Sequence, residues 1–153
     1  MLQATRTPNA SFEASFHSGQ PQLTASPAAI RKLAAKLVQA DRLQDAAQLI
    51  HEAQKFHPLS EDLLVMQILL SEVQNHWQEA ALALARLVEV QGEQVTAETW
   101  RHWVRVLRCA GDAEQAYQVT LQALQFQPQD VMLTSELQAL ESLLGAYVWK
   151  KAA

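Results

Sequence analysis

From Pro27 to the C-terminal end, apolar residues recur every three to four positions, the period of a helix that buries one face, and residues that stop helices interrupt the pattern at regular intervals. The pattern predicts seven helical segments, over residues 27–40, 43–56, 61–74, 77–90, 97–110, 113–126 and 131–148. Between them stand Asp41-Arg42, His57-Pro58, Asn75-His76, Gln91-Gly92, Gly111-Asp112 and Gln127-Pro128. Ser26, Ser60, Thr96 and Asp130 occupy N-cap positions, and Ser26 precedes a proline that needs no partner for an N–H. Connections this short make successive helices antiparallel neighbours. Residues 1–26 follow neither the helical nor the strand period and read as a flexible arm. The alternatives are a single docking turn carrying Phe12 and Phe16, or a transit peptide with Arg6 as its only basic residue.

Laid against itself, the chain repeats. Ala46, Ala80 and Ala116 fall 34 and 36 residues apart, and Pro58 and Pro128 stand 70 apart with Gly92 between them. The same register aligns Ile30, Leu64 and Trp100; Ala34, Ile68 and Val104; Ala53, Leu87 and Ala123; and Asp41, Asn75 and Gly111. Small residues at fixed places have a physical cause, because only a small side chain lets two helix axes approach closely. The period and these residues resemble the tetratricopeptide repeat (TPR), with copies over 27–60, 61–96 and 97–130. The third copy matches best, through Trp100, the Gly111-Asp112 turn, Ala116, Ala123 and Pro128. The second departs at Gln67, Ser71, Leu87 and Gly92. The resemblance implies an all-α fold: a right-handed superhelical stack of antiparallel helix pairs, a TPR-like solenoid of about seven helices within residues 27–149. Such a stack needs a closing helix, and 131–148 supplies an apolar stripe of Leu133, Leu137, Leu140, Leu144 and Val148. Tyr147 and Trp149 then pack on the last repeat or form a dimer contact.

Composition narrows the function. With 153 residues, 49% hydrophobic and 18% charged, the chain has the size and apolar content of one ordinary domain. A net charge of −4 argues against binding nucleic-acid phosphates. No apolar run is long enough to span a bilayer and residues 1–10 lack a signal-peptide core, so no membrane insertion and a cytoplasmic location are expected. His17, His51, His57, His76 and His102 never stand three or four apart, which argues against a metal site. Cys109 has no histidine placed as its base, and no phosphate-cradling loop, nucleophile elbow or paired-acid signature occurs. The chain is therefore expected to be no enzyme and to carry no cofactor.

In TPR stacks the first helix of each pair lines a concave groove. The resemblance assigns to that groove Arg31, Lys32 and Ala35, then Val65, Met66, Leu69 and Val73, then Arg101, His102, Arg105 and Arg108. Arg101, Arg105 and Arg108 share a helix face and repel one another unless acids answer them. They form either a solvated face near Glu98 and Asp112 or a site for a partner's carboxylates. Segment 61–74 is apolar nearly all round, more than one buried face requires. The carboxylate clamp of chaperone-binding TPR domains is not expected, because Ala35, Met66, Glu98 and His102 depart from it. In size and layout the chain is also similar to bacterial type III secretion chaperones, a likeness of architecture only. The expected function is a non-catalytic adaptor or chaperone that binds an extended or helical, acidic-apolar segment of another protein. The alternative is a structural subunit, or a homodimer joined through the C-terminal helix.

Overall fold

The computed structural model describes the backbone of residues 25–152 and the side chains of residues 25–146. Residues 1–24 of the expected arm and the side chains of Tyr147, Val148 and Trp149 lie outside these. The described backbone is helical, without strands: α1 (Pro27–Gln39), α2 (Leu43–Gln54), α3 (Glu61–Val73), α4 (Trp77–Gln91), α5 (Ala97–Cys109), α6 (Ala113–Phe126) and α7 (Val131–Ala152), with one 3₁₀ turn at Gly92–Gln94. α7 runs past the expected end at 148, since the residues that follow include no proline or glycine to stop it.

Five of the seven helices start on a capping side chain, while Arg42 before α2 and His76 before α4 make no such bond. Ser26 Oγ accepts from the Ala29 N–H at 3.2 Å, Ser60 Oγ from Leu63 at 3.4 Å and Thr96 Oγ1 from Thr99 at 3.2 Å. Asp112 caps α6 through Gln115 N–H at 3.0 Å and Asp130 caps α7 through Leu133 N–H at 2.9 Å. These bonds satisfy N–H groups that have no partner within the helix.

The turns inside the helix pairs are copies of one another. Asp41, Asn75 and Gly111 all have left-handed backbones, with φ of 58°, 59° and 78°. In each the next residue's N–H reaches back across the last helical turn: Arg42 to Leu37 at 2.8 Å, His76 to Ser71 at 2.8 Å and Asp112 to Leu107 at 3.0 Å. This pattern ends a helix by turning one residue left-handed, which glycine does freely and Asn or Asp tolerate.

The chain divides into two compact units, which meet in sequence at Pro58 and Leu59. In the first, α1 packs on α2, and Ile30, Ala34, Leu37, Ala46, Leu49, Ile50 and Ala53 are buried. In the second, each helix from α3 to α7 packs on the next in sequence, around a single core that runs from Leu64 and Ile68 through Trp100 and Val104 to Leu133 and Leu140. The positions that repeat in sequence repeat in burial. Ala46, Ala80 and Ala116 are each 0% exposed, and Leu87 is buried where its counterparts are Ala53 and Ala123. Trp100 fills the third copy's place for Ile30 and Leu64, stacked on Trp103 at 5.9 Å and on Phe126 at 5.8 Å between ring centroids. On α7, Leu133 and Leu140 are buried while Leu137 and Leu144 are half-buried.

Candidate protein-binding face

α3 carries more apolar side chains than its packing uses. Leu63, Leu64, Ile68 and Leu70 are buried, yet Val65, Leu69 and Val73, at four-residue spacing on one face, are 41%, 50% and 63% exposed. Met66 beside them is half-buried. Against this stripe α3, α4 and α5 enclose a cleft of about 220 Å³, walled by Val65, Leu69, Leu84 and Leu87 and edged by Gln91, Glu98, Thr99 and His102. A wider cleft of about 830 Å³ separates α5 from α7 and is lined by Arg101, His102, Arg105 and Arg108 with Glu98, Met132 and Glu136. Glu98 borders both.

The basic face of α5 is answered within the chain. Glu72 of α3 holds two of its groups, with His102 Nε2 at 3.0 Å from one carboxylate oxygen and Arg105 at 3.2 Å from the other. Arg108 pairs with Glu136 of α7 at 2.6 Å. Arg101 lies 3.9 Å from Asp130, donates to the Ala97 carbonyl at 3.3 Å and reaches the Met132 sulfur at 3.1 Å. These bonds tie α5 to α3 on one side and to α7 on the other. The arginine side chains of Arg105 and Arg108 remain 67% and 43% exposed, so each pair contributes little to stability, about 1 kcal/mol or less.

Eight of the eleven expected groove residues thus lie in the second unit, on α3 and α5, and six of them line the two clefts: Val65, Leu69, Arg101, His102, Arg105 and Arg108. Val73 continues the stripe and Met66 stands beside it, and neither lines a cleft. Arg31, Lys32 and Ala35 belong to the first unit, on α1, where the first two are exposed and Ala35 is half-buried. The expectation that the arginines await a partner's carboxylates loses its reason, because Glu72, Asp130 and Glu136 already answer them. Those acids carry no signal in the sequence: they come from other helices, and only the fold sets them opposite α5. Among the described residues, no group of three His, Cys, Asp or Glu side chains is placed to hold a metal ion. Cys109 is exposed at the end of α5.

No family model and no curated protein sequence matches the chain. Solved structures do. The crystal structure of MamA, a TPR-like protein, superposes with a TM-score of 0.63 over 86% of this chain and 74% of that one, at 13% sequence identity. The fold is a TPR-like helical repeat. An identity of 13% is a likeness of backbone alone.

Proposed function

We propose that the protein is a non-catalytic adaptor or chaperone of the cytoplasm that holds an extended or helical segment of another protein against α3 and α5. The observation that carries this reading is the exposed Val65, Leu69 and Val73 stripe opening into the cleft beside it. Apolar side chains on one helix face, next to a small concave opening, suit the anchors of an amphipathic partner. The TPR-like fold supports protein partners over small substrates, and no described helix is long and apolar enough to cross a membrane.

The test is affinity purification with the full chain, comparing wild type with Leu69→Glu after circular dichroism shows equal helicity. A partner retained by wild type and depleted about tenfold or more by the charge is the expected result, since a desolvated apolar anchor is worth more than 1 kcal/mol. A partner that persists unchanged removes the stripe from the interface. It then favours the second reading, a subunit or homodimer joined through α7, where Met132, Ala139, Leu143 and Ala146 are exposed along one face. Sedimentation of wild type and of Leu143→Glu would show that assembly as a loss of mass in the variant.

A further inference from the structure

Charge on the α5 face is unevenly spent. Three arginines, Arg101, Arg105 and Arg108, stand near four carboxylates, Glu72, Glu98, Asp130 and Glu136. Three of these acids are engaged as described. Glu98 is not: it is exposed and, among the described residues, has neither an ion pair nor a side-chain hydrogen bond. It sits in the first turn of α5, where the helix dipole favours an acid at modest strength, and it borders both clefts. Arg101 stands one turn along the helix but is directed to Asp130, the Ala97 carbonyl and the Met132 sulfur, and Arg105 is two turns along, about 10 Å of rise away. A second acceptor stands at the same end. Gln91 lines the α3–α4–α5 cleft, and its side-chain oxygen is buried with no hydrogen-bond partner among the described residues. A buried acceptor left unsatisfied costs free energy that an incoming donor recovers.

Resting on the reading of this face as a protein-binding site, we propose that its occupant is a basic-apolar segment. Leu, Ile, Met or Phe anchors would lie on Val65 and Leu69, and a Lys or Arg next to them would answer Glu98 and donate toward Gln91. The arginines of α5, already neutralised, then fix the helices that frame the cleft and leave the ligand's charge to Glu98. The acidic partner expected from the arginine row alone has no unengaged cation on α5 to meet.

The experiment is selection of a random peptide display library on the full chain, with Leu69→Glu as the counter-selecting variant. Peptides are then titrated by fluorescence anisotropy against wild type, Glu98→Gln and Glu98→Lys, each checked for helicity. The proposal expects enriched peptides with Lys or Arg beside apolar anchors, binding that weakens as salt is raised, and a loss of about tenfold in affinity for Glu98→Lys with a smaller loss for Glu98→Gln. Enriched peptides that are acidic or uncharged, or basic ones indifferent to Glu98→Lys, overturn the charge assignment while the cleft reading stands. No enrichment, or peptides that bind Leu69→Glu as well as wild type, overturn the cleft reading and the proposal with it.

Discussion

α3 and α5 open successive helix pairs and occupy equivalent places in the repeat, yet they handle their outer faces in opposite ways. α5 buries Trp100, Trp103, Val104, Val106 and Leu107 and presents arginines that acids of α3 and α7 hold. α3 buries Leu63, Leu64, Ile68 and Leu70 and leaves Val65, Leu69 and Val73 in water. A polar face closed by ion pairs is finished on folding. An apolar face left open is unfinished, and exposed apolar area of this kind, beside a concave opening, marks where association gains the most. The difference teaches that in this molecule the row of charges is closed within the chain while the row of hydrocarbons is left open.

Breaking the comparison at its core has the largest effect. Trp100→Ala removes a side chain 2% exposed and stacked on two aromatic rings, and is expected to lower unfolding free energy by about 3–5 kcal/mol in urea denaturation. Trp100→Phe should cost far less than the alanine change, because the indole N–H has no partner to lose among the described residues. If both variants are equally damaged, the ring stack is not what holds α5 in place.

Next comes the link between the two helices. Glu72 has a side chain only 15% exposed and two hydrogen-bonding partners on α5, the Arg105 guanidinium and the His102 ring, so Glu72→Gln is expected to destabilise by about 1–2 kcal/mol and to loosen α5 in hydrogen exchange. Arg108→Ala, whose pair with Glu136 is more exposed, should cost no more than about 1 kcal/mol. The reverse order would place the firmer tie on the α7 side. Smallest is Val73→Ser on the open stripe: at 63% exposure it should shift stability by about 0.5 kcal/mol or less while weakening ligand binding. A marked loss of stability there would show that the stripe is covered by the chain itself.

The readable parts of this molecule are the local ones. Caps at Ser26, Ser60, Thr96 and Asp130 depend on neighbours three residues away, and the turn residues Asp41, Asn75 and Gly111 on their own backbone freedom. The spacing of small buried residues is legible for the same reason, since Ala46, Ala80 and Ala116 each sit fully buried early in the second helix of a pair. The excess of apolar residues on α3 was also plain, because helical periodicity alone says how many one buried face can use. The fate of the α5 arginines was not. Their partners Glu72 and Glu136 lie 33 and 28 residues away, and nothing in a helical period says which neighbouring helix will bring an acid within reach. Gln91 is no more legible, since a glutamine near a helix end is ordinary until the fold sets it in the cleft wall with its oxygen buried and unpartnered.

The nearest-neighbour packing of α3 through α7 has a consequence for how the chain reaches this state. When each helix docks on the one just made, the loops to be closed stay short, so folding is expected to be fast for a helical unit of this size, which stopped-flow refolding would check. The same economy sets how the unit comes apart. Opening can begin at a terminal helix and advance pair by pair, so the slowest amides to exchange should sit around Trp100 and Val104, midway along the array.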